Sequence, residues 1–177
     1  MSIPARLARC ARGAAAAELA LALPLLLVLI CGCAELGNYF LDEHRLVKAV
    51  RDGARYAARQ DISYFTGCSG NPGGTVVADT QNVVMTGVLS GGNDYLPNRS
   101  SGTIAVTIVG CSTTVGSGPT TLGGLYTGVK NSGGSLVGAP VVKVDASLPY
   151  TPIIHAFGFS GLGLTINASQ QAAVMGW

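Results

Sequence analysis

The chain begins with a long apolar run that changes into a helical pattern of apolar and basic positions. Residues 14–34 are apolar except for Glu18, and a run of about 21 residues is long enough to cross a bilayer as a helix. From residue 36 to residue 60, apolar residues recur at the i, i+3, i+4 spacing of an amphipathic helix. We therefore predict that the helix continues past the membrane. Basic residues recur at helical spacing in the same segment and predict the solvated face of this helix. This basic stripe contains Arg45, Lys48, Arg51, Arg55 and Arg59.

Beyond residue 60, the pattern changes to turns and strands. A helix is predicted from Asp79 to Leu89, with Asp79 or Thr80 as its N-cap and Gly87 limiting its length. Alternating β-branched runs predict strands at 103–109, 141–148 and 162–168, and residues 116–138 are predicted to be an extended loop or a weak hairpin. The predicted fold class is α+β, in which a long N-terminal helix packs on a small antiparallel sheet.

The charges on either side of the apolar run predict its direction in the membrane. Basic residues mark the cytoplasmic side of a span, and here they precede it while acidic residues follow it. These residues are Arg6, Arg9 and Arg12 before the span and Glu35, Asp42 and Glu43 after it. We predict a basic leader (1–13), a transmembrane helix (14–34), an extracytoplasmic helix (35–60) and an outer domain (61–177). The N-terminus would lie in the cytoplasm.

Composition argues against catalysis and against nucleic-acid binding. Only 11% of residues are charged, and 61–177 carry three basic and four acidic residues, which gives a nearly neutral domain without a basic patch. We find no phosphate-binding loop, paired catalytic carboxylates or nucleophile elbow, so we expect no catalytic residue, cofactor or small-molecule substrate. His44 and His155 have no metal-ligand spacing with the cysteines, so no metal site is expected.

Glu18 is the one charged residue within the apolar run of residues 14–34. A charged side chain at the centre of a membrane helix costs about 2.5–3.5 kcal/mol on insertion scales, so an intramembrane carboxylate indicates a function. Cleavage after Gly13 would make Glu18 the fifth residue of the mature chain, a spacing that resembles the type IV prepilin processing site. Cleavage would also free a positive α-amino group on Ala14, which is a suitable partner for a carboxylate in hydrocarbon.

Further motifs resemble those of TadE-like proteins. Residues 51–58 read RDGARYAA and look like the family's AAREGARYAA stretch, while 35–37 (ELG) resemble its EFG. The ELAL and LPLLL runs match its entry into the membrane, although Leu19 stands where the family often has Phe or Tyr. The motif residues are Arg51, Gly53, Ala54, Arg55 and Tyr56.

The TadE-like resemblance implies a minor pilin or pseudopilin of the bacterial tight-adherence (Tad) pilus, with a pilin-like fold. It implies that Gly13 and Ala14 flank the cut and that Glu18 acts in recognition and assembly. The implied partners are the inner membrane, a prepilin peptidase, other pilins and the pilus assembly platform.

Other interpretations of the N-terminus remain open. The run would also suit a plain single-pass anchor, with Glu18 reaching the nearby interface, or an ordinary signal peptide. Residues 30–33 partly resemble a lipoprotein signal ending at Cys33. The alternative function is therefore an envelope-anchored protein whose outer domain binds a ligand or a surface.

Cys68 and Cys111 lie outside the membrane under this topology. Oxidising compartments favour disulfides, and a small glycine-rich domain is stabilised by such a cross-link. We predict that the two residues form a disulfide, the alternative being two free thiols.

Overall fold

The computed structural model describes residues 11–94, 102–112, 138–154 and 163–176. In these ranges the chain forms two helices, three strands and a short 3₁₀ helix. They are helix α1 (Ala11–Ala58), the 3₁₀ helix (Ile62–Tyr64), helix α2 (Val76–Thr86) and strands β1 (Thr103–Ser112), β2 (Ala139–Pro149) and β3 (Thr165–Ala173). The strands form one antiparallel sheet in the order β1-β2-β3, so the predicted α+β class is confirmed.

The chain divides into two compact units. The first contains Met1–Tyr39 and Pro152–Leu162, and the second contains Phe40–Thr151 and Gly163–Trp177. In the first unit, the large apolar side chains between Leu19 and Ile30 are 45–83% exposed. Helix α1 is long and apolar enough to cross a membrane. Its exposed apolar surface is what a helix surrounded by lipid requires. The finer division at residues 13, 34 and 60 stays a prediction.

In the second unit, helix α1 buries a face composed mainly of small residues. Leu46, Val50 and Ala57 are at most 1% exposed, and Gly53 is buried between them. A Cβ atom on Gly53 would collide with the Val84 side chain of helix α2. The absence of a side chain at Gly53 therefore permits the close approach of the two helices.

The basic stripe of helix α1 is solvated, as predicted. All five of its side chains are exposed. Two of them form ion pairs one helical turn apart, Arg45 with Asp42 at 3.1 Å and Arg55 with Asp52 at 3.8 Å. Pairs of this kind contribute only about 0.2–0.5 kcal/mol each, so the stripe adds solubility more than stability.

Helix α2 begins three residues earlier than predicted. Its N-cap is Thr75, so the expected cap at Asp79 or Thr80 was wrong. The Thr75 hydroxyl donates a 2.6 Å hydrogen bond to the Asp79 carboxylate. Asp79 lies in the first turn of the helix, where the positive end of the helix dipole stabilises its negative charge. The helix ends before Gly87, whose φ of 76° gives the left-handed conformation of a glycine C-cap.

Strand β3 departs most from the sequence pattern. It was predicted at 162–168 but occupies Thr165–Ala173, pairing along the length of β2 from Pro149↔Thr165 to Val141↔Ala173. The last residues of β3 are Gln and Ala, which have weak strand preference, so the backbone ladder with β2 decides their conformation. Strands β1 and β2 begin and end within three residues of the predictions. The predicted loop at 116–138 lies outside the described residues except for Gly138.

Gly53→Ala should destabilise the protein by about 1–3 kcal/mol, because the added methyl group overpacks the contact with Val84. Gly37→Ala is the matched control, since nothing lies within 4 Å of its added Cβ atom. It should be neutral or stabilising by up to about 1 kcal/mol through helix propensity. Unfolding free energies of the full chain in detergent micelles would measure both. Equal effects would contradict the close approach.

Candidate functional site

The predicted cleavage residues lie in helix α1, close to the start of its described part. Gly13 is exposed, with no atom within 4 Å of an added Cβ. The exposure of Gly13 is compatible with the approach of a peptidase to the bond between Gly13 and Ala14. That it is cut stays a prediction.

The Glu18 side chain is exposed on the apolar half of helix α1. Within the described part of the chain, we find no hydrogen bond or ion pair that satisfies its carboxylate. A carboxylate in this position requires a donor or a positive charge from elsewhere when lipid surrounds the helix. The geometry thus leaves Glu18 available for contact with another molecule, while its assembly role stays a prediction.

Glu35 has a different environment, although only 17 positions separate it from Glu18. Glu35 is 5% exposed, and its two carboxylate oxygens accept hydrogen bonds from the backbone N–H groups of Ile153 (3.1 Å) and Ile154 (3.0 Å). All three residues belong to the first unit. Glu35 belongs to the ELG motif, but no sequence pattern predicts its contact with residues more than 110 positions away.

The Arg51–Tyr56 motif divides between two roles. Arg51 and Arg55 are exposed, whereas Gly53 and Ala54 are buried. The Tyr56 hydroxyl donates a 3.4 Å hydrogen bond to Asp79 on helix α2, the carboxylate that Thr75 also contacts. The buried part of the motif therefore holds helix α2 on helix α1. The sequence alone did not indicate this structural role.

The structure gives partial information on the cysteines. Cys31 and Cys33 are free thiols, and Cys68 is not among the free thiols. An isolated antiparallel bridge joins Gly70 to Ile108, with a 2.7 Å hydrogen bond from the Ile108 N–H to the Gly70 carbonyl. This bridge brings the segment after Cys68 next to the strand that contains Cys111. The side chain of Cys111 lies outside the described residues, so the disulfide stays a prediction.

No group of three or more His, Cys, Asp or Glu side chains among the described residues is placed to hold a metal ion. His155 lies outside those residues.

Comparison with known families identifies the N-terminal part of the chain. Residues 13–55 match the family model described as TadE-like protein. This segment is TadE-like. The resemblance predicted from the motifs is thereby confirmed for residues 13–55. No curated protein and no solved structure matches the chain.

The TadE-like segment coincides with helix α1 and excludes the sheet. It begins at Gly13, includes Glu18 and Glu35, and ends at Arg55, three residues before the helix does. The TadE-like family is structural and pilus-associated, and the expectation that this protein is not an enzyme stays a prediction. The apolar helix together with the TadE-like match indicates a single-pass membrane protein.

Tyr56 lies one residue beyond the TadE-like segment, and we expect it to make the folding stability of the protein fall at alkaline pH. Burial, followed by the charge and hydrogen bond of Asp79, raises the pKa of Tyr56 above the ordinary tyrosine value. Below about pH 10 both folded and unfolded states keep the proton, so the stabilisation is fully present. As the pH rises further, the Tyr56 hydroxyl loses its proton first in the unfolded state. The stabilisation is therefore lost as the pH rises through the pKa that Tyr56 has in the folded state.

Tyr56→Phe should therefore lower stability by about 0.5–1.5 kcal/mol near neutral pH, through loss of the hydrogen bond. Its unfolding free energy should also fall less steeply above about pH 10 than that of the parent chain. Denaturant titrations of both proteins at several pH values would measure the difference. Tyr64→Phe, which changes an exposed tyrosine, is the control and should keep the steep alkaline loss. Parallel curves for the parent and Tyr56→Phe would contradict the assignment.

Proposed function

We propose that this protein is a minor pilin or pseudopilin of a tight-adherence pilus, matured by a prepilin peptidase that cuts after Gly13. The observation that carries the proposal is the TadE-like match, which starts at the residue where the cut is predicted. The exposed position of Gly13 supports it, because no side chain hinders the approach of a membrane peptidase to the backbone there. Other pilins and the assembly platform would be its partners.

In this proposal, Glu18 pairs with a positive charge created by processing. The new N-terminus at Ala14 is cationic, and the positive end of the helix dipole adds to its attraction for a carboxylate. Pairing between neighbouring subunits would fix their axial register, since a buried carboxylate without a partner is strongly unfavourable. The exposed position of Glu18 on the helix is compatible with such an intermolecular contact.

We further propose an inner-membrane location, with the N-terminus in the cytoplasm and the outer domain outside it. The three leader arginines and the acidic residues after the span support this direction. A disulfide between Cys68 and Cys111 would suit that compartment. The nearly neutral charge of residues 61–177 supports a structural role in place of binding to nucleic acid.

Gly13→Leu should block maturation, because the larger side chain hinders the close approach of the peptidase to the backbone. Intact mass and N-terminal sequencing of protein purified from membranes would show an uncut chain, while the parent begins at Ala14. Gly37→Leu is the control, because Gly37 is also an exposed glycine of helix α1 and lies far from the cut. It should mature normally.

Two results would contradict this prediction. One is a Gly13→Leu chain that still begins at Ala14. The other is a parent chain that retains its N-terminal Met1 or begins at a lipid-modified Cys33, which would favour the envelope-anchor alternative.

Glu18→Ala should insert into the membrane normally but lose association with the assembly machinery. Removal of one partner from a buried ion pair costs about 3–5 kcal/mol, so co-purification should fall by about tenfold or more. Membrane fractionation and pull-down of the platform proteins would measure insertion and association separately. Glu43→Ala removes a carboxylate beyond the predicted span and should change neither. Normal co-purification of Glu18→Ala would contradict the proposed role.

A further inference from the structure

The backbone segment at Pro152–Ile154 is fixed to helix α1 by an acidic side chain. The Glu35 carboxylate accepts the N–H groups of Ile153 and Ile154, one on each oxygen. While Glu35 is 5% exposed, the Ile153 side chain is 67% exposed. The contact therefore secures the backbone of the segment and leaves a large apolar side chain uncovered.

The position of Glu35 along helix α1 gives the depth of this contact. It follows directly after the predicted span of 14–34, and large exposed apolar residues continue to Leu41. The helix from residue 14 to residue 41 is roughly 42 Å long at 1.5 Å per residue. This length is close to the roughly 40–45 Å of a bilayer with its headgroup regions. The predicted span would therefore place Glu35 at the level of the lipid interface.

The pattern of burial on helix α1 agrees with this depth. Around Glu35, the half-buried positions Cys31, Gly32, Asn38 and Tyr39 follow the spacing of one helix face. Large side chains before residue 31 are exposed. The covered face therefore begins inside the last turn of the predicted span, and the segment that contacts Glu35 is level with the end of the apolar run.

An irregular segment at this level must have its backbone groups satisfied. Unpaired N–H groups are costly wherever water is scarce, so loops enter the membrane region only with internal partners. Glu35 supplies such partners to two consecutive amides. The exposed Ile153 side chain then adds to the exposed apolar surface of the first unit.

We propose that the Pro152–Ile154 segment is a membrane-contacting loop, in which Glu35 is the positioning residue and Ile153 inserts into the lipid interface at the C-terminal end of the span. The partner surface is the bilayer itself. This inference rests on the membrane span alone, so it stands or falls independently of cleavage after Gly13 and of pilus assembly.

Tryptophan quenching by brominated lipids tests the proposal on the full chain in phospholipid vesicles. The sequence has a single tryptophan, so Ile153→Trp is made in a Trp177→Phe background. Bromines placed near the headgroup should quench its fluorescence about twofold or more, and bromines near the bilayer centre should quench it less, as for a group at the headgroup and acyl boundary. Met175→Trp is the control, because Met175 is 68% exposed and its N–H contacts the carbonyl of Ala58, roughly 25 Å along helix α1 from Leu41. It should not be quenched.

The role of Glu35 is tested in the same background. Glu35→Ala should reduce the quenching of the Ile153→Trp variant by about half or more, and the isosteric Glu35→Gln, which keeps one acceptor oxygen, should reduce it less. Glu43→Ala should leave it unchanged. Absence of quenching in the Ile153→Trp variant would overturn the membrane contact. Equal quenching with and without the Glu35 carboxylate would overturn its positioning role.

Discussion

Close packing of helix α2 against the small-residue face of helix α1 is the contact on which the second unit depends. Gly53 permits the approach, and Val84 fills the space that a side chain would occupy. At the start of helix α2, one carboxylate, Asp79, accepts hydrogen bonds from Thr75 and Tyr56. The unit thus gains helix–helix contact by bringing backbones together, which suits a chain with 25 glycines and only 6% aromatic residues.

The sheet is connected to this helix pair by hydrogen bonds at its two edges. On β1, the Ile104 carbonyl accepts a 2.8 Å hydrogen bond from the Gln81 side chain of helix α2. Beyond β3, the Met175 N–H donates to the Ala58 carbonyl at 2.8 Å, at the last residue of helix α1. An orphan carbonyl at the helix end is satisfied in this way. The central strand β2 needs no such link, because both of its edges pair with other strands.

The features that the sequence predicted are those with a local pattern. The periodicity of apolar and basic residues predicted helix α1, and β-branched alternation predicted β1 and β2. The start of helix α2 was predicted three residues too late because Asp79, expected as its N-cap, lies inside the first turn, and β3 was misplaced because pairing with β2 determines its length. The contact of Glu35 is harder still to predict, since backbone amides, which every residue except proline carries, are its donors.

Three carboxylates on helix α1 show how the same chemical group acquires different roles. Asp42 is 7% exposed and pairs with Arg45 one turn away, and Glu35 is satisfied by two backbone amides of its own chain. Glu18 is exposed, and the described part of the chain offers it no such partner. Because a carboxylate among apolar residues is unfavourable until a donor or a cation meets it, the unmet requirement at Glu18 has to be satisfied from outside the described fold. This contrast distinguishes Glu18 from Glu35 and Asp42 as the carboxylate that is left available for contact with another molecule.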